Sequence, residues 1–161
     1  MKRLILIRHA KSGWDDAAAD DHARTLTDRG RKAAQKIGAW LADNSYTPDV
    51  LLVSDSARTI ETHKHLCAGL GETPNSNFLT LLYHAAPDTI LELAQKQPDE
   101  TIAIIGHNPG IAMAAHGLVQ SRPNHDRFSD YPTGATTVID FTDTVNIGTG
   151  TCEAFTVPRD L

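Results

Sequence analysis

The chain has 161 residues, 40% of them hydrophobic, which is enough for one well-packed core and short for two. Fifteen Lys plus Arg against 20 Asp plus Glu leave a formal charge of −5, and the basic residues are spread along the chain, which excludes a general nucleic-acid surface. No apolar run approaches the roughly 20 residues needed to cross a bilayer, and Leu4 to Ile7, cut short by Arg8, is too little for a signal peptide.

In chain order, "RLILI" (3–7) is apolar throughout, as expected of a strand covered on both faces, and it runs directly into Arg8-His9. Residues 27–43 place Ala33, Ala34, Ile37, Trp40 and Leu41 at helical spacing behind Thr27, which suits the N-cap. Arg29, Arg31, Lys32 and Lys36 fall elsewhere on that helix, a face read as solvated. "VLLV" (50–53) is a second buried strand, and residues 56–70 form a second helix that Gly69 and Gly71 help to end. A third helix covers 87–96, followed by a third buried strand, "TIAII" (101–105). "NPGIAMAAHGL" (108–118) predicts a helix with Asn108 as N-cap and Pro109 at the first helical position. Residues 119–134, rich in Pro, Asp, Ser and Arg, read as a surface excursion; "ATTVIDF" (135–141) and "TCEAFTV" (151–157) read as an antiparallel pair at one side of the sheet. The alternation predicts one α/β sandwich domain over residues 1–161 with a mostly parallel sheet. Cys67 and Cys152 lie far apart without metal-like spacing, which predicts no disulfide framework and a reducing, cytoplasmic setting.

Each buried strand is followed by polar chemistry: Arg8-His9, then "SDSAR" (54–58), then "GHNPG" (106–110). In open α/β sheets ligands bind beyond the carboxyl ends of the strands, so Arg8, His9, Arg58 and His107 are expected to share one pocket. Two arginines and two histidines repel one another unless an anion lies between them, and the guanidinium fork matches phosphate oxygens. Arg58 in the first turn of its helix and His107 just ahead of another add free backbone N–H groups to that preference. A neutral histidine whose second nitrogen is fixed by a hydrogen bond can attack phosphorus, and His9 is the expected nucleophile. Arg8, Arg58 and a protonated His107 would stabilise charge building on the phosphoryl oxygens, and water would hydrolyse the phosphohistidine.

At these residues the sequence resembles the histidine phosphatase superfamily, and within it the small SixA-like branch. The resemblance runs through "LILIRHAKS" (4–12), "DHARTLTDRG" (21–30), "LLVSDSARTIET" (51–62), "LLYHA" (81–85), "IIGHNPG" (104–110) and "YPTGA" (131–135), in that order. It implies a phosphoglycerate-mutase-like, three-layer sandwich with a mostly parallel central sheet and an antiparallel edge. It also implies that His9 accepts the phosphoryl group and that Arg8, Arg58 and His107 form the rest of the phosphate pocket. Asp21 and Arg24 resemble a substrate-side pair at the pocket mouth, for which a structural salt bridge is the competing reading. Ala10 stands where many relatives carry Gly.

Mutases and many ester phosphatases of the family carry a glutamate after the third strand as general acid, whereas "FLTLLYHAAPD" (78–88) has no clear equivalent. Tyr83, His84, Asp88 and the acidic loop of Asp15, Asp16, Asp20 and Asp21 are the candidates. An alkoxide needs a proton to leave, help worth about 10²- to 10⁴-fold, while imidazole, with a pKa of roughly 6.5, leaves more readily. The expected substrate is therefore phosphohistidine on a protein, with a small phosphate ester, or a non-catalytic phosphate-docking module, as alternatives. The span from Arg58 to His107 has room for a helix, a strand and a helix but no covering subdomain, which predicts a shallow, open pocket. His63 and His65 point to different helix faces, and His22, His116 and His125 lack partners at ligand spacing, so no metal and no cofactor are expected. Nucleic acid and membrane are not expected partners, and a monomer is expected.

Overall fold

The computed structural model describes residues 1–14 and 20–161. Strands β1 (Lys2–Arg8), β2 (Val50–Ser54), β3 (Asn75–Leu79), β4 (Thr101–Gly106), β5 (Thr136–Phe141) and β6 (Thr151–Thr156) form one sheet in the order β3-β2-β4-β1-β5-β6. β1 to β4 pair in parallel, and β5 and β6 add the antiparallel edge. Helices α1 (Asp28–Asp43), α2 (Ala57–Leu70), α3 (Pro87–Gln95) and α4 (Gly110–Leu118) complete the α/β fold.

Alternation along β1 decides the layers. Leu4 and Leu6 join a core with Ile90 of α3 and Ile111 of α4, while Ile5 and Ile7 join one with Ile37 of α1 and Leu66 of α2. Each such side chain, fully withdrawn from water, contributes about 1.5–3 kcal/mol of hydrophobic stabilisation. The continuous apolar run of β1 is thus the signature of a strand with helices on both faces.

α1 starts where expected, with the Thr27 hydroxyl accepting from the Gly30 N–H. α2 ends at Gly71, in the left-handed conformation at φ 81°. Gly69 plays another part: a Cβ there would fall 2.0 Å from the Gln35 carbonyl oxygen, and one at Gly38 2.0 Å from that of Leu66, so these two glycines let α1 and α2 touch backbone to backbone. β3 gave no apolar signal because it lies at the sheet edge with its pattern largely exposed.

Two boundaries differ from expectation. α4 begins at Gly110 with Pro109 as its cap residue and no side-chain cap hydrogen bond; the Asn108 side-chain NH2 group donates to the Tyr131 carbonyl at 2.9 Å, which ties this side chain to the 119–134 segment, and its Oδ1 accepts no helix N–H. The segment 119–134 is also no mere surface excursion: Phe128 and Tyr131 are buried in the core. The Tyr131 hydroxyl donates to the Leu6 carbonyl at 2.8 Å and lies 2.7 Å from the Thr137 hydroxyl, stitching this segment to β1 and β5. Isolated aromatics in a polar stretch leave no periodicity to read. Among the described residues no helix is long and apolar enough to cross a membrane, and Cys67 and Cys152 are both free thiols.

Candidate active site

β1, β4 and β2 are adjacent, and Arg8 lies in register with Gly106, so the residues just beyond them, His9 and His107, emerge side by side. Their ring centroids are 5.4 Å apart. Arg58 arrives from the first turn of α2, whose start is fixed by the Ser56 hydroxyl accepting from the Thr59 N–H. All four residues expected from the strand ends therefore meet at one place.

His9 is 5% exposed, and its Nδ1 lies 2.7 Å from the Ala10 carbonyl oxygen. A carbonyl only accepts, so Nδ1 carries the proton and Nε2 keeps its lone pair. The bond is held in place because the Ala10 N–H donates to the Thr62 hydroxyl at 3.0 Å, which in turn donates to the Arg58 carbonyl at 2.7 Å. Burial, reinforced by Arg8, Arg58 and Arg24, pushes the His9 pKa down to about 3 despite the opposing Ala10 hydrogen bond. His9 is neutral at physiological pH.

His107 is also buried; its Nε2 lies 2.8 Å from the Ser54 hydroxyl. Burial first, then His9 and Arg58, lower its pKa to about 3. In this arrangement the His107 ring is neutral, and the protonated ring expected from the sequence would need an anion beside it. Arg8 donates to the Tyr131 carbonyl at 3.1 Å, and its pKa is lowered by burial and then by Arg58. Arg58, 2% exposed, donates to the Asp21 carbonyl at 2.7 Å and to its carboxylate at 3.1 Å.

Four buried side-chain atoms have no hydrogen-bond partner among the described residues: Arg8 Nε, Arg58 Nε, His107 Nδ1 and Asn108 Oδ1. Each unsatisfied buried polar group costs about 1–3 kcal/mol. The first three belong to the floor residues, and the two arginine atoms are cationic donors, so an oxyanion is the complementary ligand.

At the mouth, Asp21 and Arg24 form the salt bridge weighed in the sequence, at 3.2 Å, and Asp21 does more than that. Its other carboxylate oxygen accepts from Arg58, from the Tyr83 hydroxyl and from His84 Nε2 at 3.0 Å. The Tyr83 hydrogen bond, followed by those from His84 and Arg58, outweighs desolvation and holds this carboxyl well below the usual carboxylate range. Burial and then Asp21 push the Tyr83 hydroxyl up. The Tyr83 and His84 rings stand 5.4 and 5.0 Å from His107, and the Arg24 guanidinium covers Trp14 at 3.9 Å. His84 reaches this place from a left-handed backbone conformation, φ 51°, uncommon for a residue other than glycine.

Of the other acid candidates, Asp88 sits in the first turn of α3, and Asp20 caps the short turn at Asp21–Ala23. Asp15 and Asp16 lie outside the described residues. Ser54, Thr62 and Tyr131 are pocket residues the sequence did not single out, and Asn108, expected as an N-cap, joins them through its bond to the Tyr131 carbonyl. Its place as the last residue of strand β2 marks Ser54, whereas Tyr131 opens the quoted "YPTGA" (131–135) but its part in the pocket is carried by its backbone carbonyl, which side-chain identity does not reveal. Among the described residues no group of three or more His, Cys, Asp and Glu is placed to hold a metal ion; His63, for example, is paired with the Ser76 hydroxyl at 2.8 Å.

Buried cations and a neutral, oriented histidine at the carboxyl ends of a mostly parallel sheet define an oxyanion-binding α/β protein. Residues 4–77 match the profile of the histidine phosphatase superfamily, branch 1. An uncharacterized chloroplastic protein of Arabidopsis thaliana is 36% identical over 73% of this chain and 59% of its own length, so the chain spans about three fifths of that relative. An uncharacterized protein of Mycobacterium leprae is 35% identical over 74% of the chain and 75% of its own. Among solved structures, a candidate phosphohistidine phosphatase SixA from Nakamurella multipartitia superposes with a TM-score of 0.82 at 26% identity, covering 98% of this chain and 96% of that one. The protein histidine phosphatase SixA complexed with tungstate has a TM-score of 0.78 at 19% identity, with 98% of both chains covered. The chain belongs to the histidine phosphatase superfamily, in its SixA-like branch.

Proposed function

We propose that residues 1–161 act as one metal-independent, cytoplasmic phosphatase unit that removes phosphate from phosphohistidine on proteins through a phospho-His9 intermediate. The observation that carries this reading is the His9 tautomer: a lone pair on Nε2, fixed by the Nδ1–H bond to the Ala10 carbonyl and bordered by guanidinium groups with unpartnered donors.

His9 Nε2 attacks phosphorus in line with the departing imidazole nitrogen, which keeps the electron pair of the broken P–N bond; the ring leaves neutral because its other nitrogen already carries a proton. Arg8 and Arg58 neutralise the phosphoryl oxygens as the bond breaks. When the Ser54 hydroxyl donates to His107 Nε2, the His107 proton lies on Nδ1, an atom without a partner among the described residues, and is available to a phosphoryl oxygen. The incoming dianion supplies the negative field that the free pocket lacks and favours protonation of His107 as the reaction proceeds. Water then attacks phospho-His9, releasing phosphate and restoring the lone pair.

A second reading, a small phosphate ester as substrate, is favoured by the two donors held at the mouth by Asp21: the Tyr83 hydroxyl and His84 Nε2 could protonate an alkoxide. A phosphate-docking module without turnover needs no oriented attacking histidine. The deciding experiment is turnover, with chelator present, of a phosphohistidine protein beside p-nitrophenyl phosphate and a sugar phosphate, with His9→Ala as control. Preference for phosphohistidine with an inactive variant is the expected result. Preference for the sugar phosphate selects the ester reading, and phosphate binding without release from any substrate selects the docking module.

A further inference from the structure

α1 divides its cations between two faces. Arg31 turns toward α2 and pairs with Glu61 at 2.9 Å. Arg29, Lys32 and Lys36, spaced so that they share the other face, line a groove of about 490 Å³ whose far wall includes Pro158 and Arg159. The groove continues into a depression of about 240 Å³ that shares Arg29 and Arg159 and adds Lys11, Pro132 and Thr133.

This inner end adjoins the active site. Lys11 follows His9 by two positions, and Gly134, next to Thr133, donates its N–H to the carbonyls of Arg8 and His9 at 3.1 and 3.0 Å. Arg127, which also lines the inner depression, is paired with Asp130 at 3.0 Å, and nearby Asp160 is engaged by His125 at 2.7 Å. Lys11, Arg29, Lys32, Lys36 and Arg159 form no ion pair among the described residues. In a protein of net charge −5, these five cations, scattered in sequence, are collected along one furrow whose inner end, at Thr133, lies next to Gly134 on the backbone of Arg8 and His9.

We propose that this groove docks acidic protein segments beside the phosphorylated side chain, so that the enzyme selects phosphohistidine in an acidic surface; the proposal rests on the phosphohistidine-protein reading above. A furrow lined by one sign of charge focuses its potential and attracts the opposite sign. Among the described residues no aromatic side chain lines either depression, so the groove lacks the stacking platforms by which proteins hold single-stranded nucleic acid. A protein segment bearing Asp and Glu is the complementary occupant.

The test uses two peptides of equal length, each with one histidine phosphorylated by phosphoramidate, one flanked by glutamates and one by serines, with free phosphohistidine as the small substrate. Wild type is expected to show a KM for the acidic peptide roughly tenfold below that for the neutral one at low salt, and added salt is expected to erase the difference. Lys32→Glu/Lys36→Glu/Arg159→Glu should abolish the preference while leaving kcat and turnover of free phosphohistidine unchanged. The milder Lys32→Gln/Lys36→Gln/Arg159→Gln serves if the triple reversal fails to fold. Equal KM values in wild type, or a preference that survives in the variants, would overturn the docking proposal alone. Tighter binding of a thymidine oligonucleotide of matched charge would overturn the choice of partner. If wild type turns over no phosphohistidine substrate, the phosphatase reading falls first and the docking proposal with it.

Discussion

At the floor of the pocket, His9 and Arg58 are 5% and 2% exposed, and Arg8, Arg58 and His107 each carry a buried polar atom without a partner among the described residues. At the mouth, Asp21 is half-exposed, and its two carboxylate oxygens are bonded by Arg24, Arg58, Tyr83 and His84. The floor holds permanent cations and neutral imidazoles, and among the described residues the one carboxylate it meets is Asp21, borrowed from the mouth by Arg58. The mouth brings its own carboxylate and is satisfied by it. Burial explains the division: in a desolvated site an imidazole gives up its charge and a guanidinium does not, so the arginines supply the fixed field and the histidines the lone pairs.

The largest test of that division is His9→Ala, which should lower turnover of a phosphohistidine protein on the order of 10⁴-fold or more while tungstate binding, followed by calorimetry, survives in part. Full activity in the variant would remove the nucleophile from the floor. Arg58→Ala should lower kcat by about 10²- to 10³-fold, the usual loss for one transition-state oxyanion donor, and weaken tungstate binding as well. An effect confined to KM would make Arg58 a mouth residue that acts only through Asp21.

Acid should separate floor from mouth. Folded His9 and His107 titrate at about 3, against roughly 6.5 when unfolded, so between those values the unfolded chain binds more protons. Their contribution is fully present above pH 6.5 and is lost progressively as the pH falls toward 3, on the order of several kcal/mol; His63, lowered by burial, acts in the same direction. The Asp21 contribution, with a depressed carboxyl, declines only below about pH 4. Melting temperatures between pH 7.5 and 4.5 should therefore fall for wild type and fall less for His9→Ala; a parallel fall would assign the loss to other groups. The smallest effect is at the mouth: Asp21→Asn removes the carboxylate that competes for Arg58 and should tighten inorganic phosphate binding a few-fold, in line with a half-exposed ion pair. No change would show that Asp21 and the ligand do not share the Arg58 charge.

The floor was legible in the sequence because each of its parts has a local signature. A buried parallel strand announces itself as an unbroken apolar run, and the residues just past its end are bound for the sheet's carboxyl edge. Arg8, His9, Arg58 and His107 follow from that rule. The Asp21–Arg24 pair was visible only through resemblance, and its use as the hub of the mouth was not visible at all. Tyr83 and His84 could be named as acid candidates but not chosen, since their contact with His107 depends on a left-handed residue at position 84.

By itself, the sequence determined the strand and helix alternation, the burial of β1, β2 and β4, and the identity of the cations at their ends, because periodicity and strand ends are properties of adjacent residues. Tertiary structure alone decided the His9 tautomer, the neutral state of His107, the anchoring of Phe128 and Tyr131, and the gathering of Lys11, Arg29, Lys32, Lys36 and Arg159 into one groove. Each of these depends on desolvation or on contacts between residues far apart in the chain, and neither is carried by local spacing.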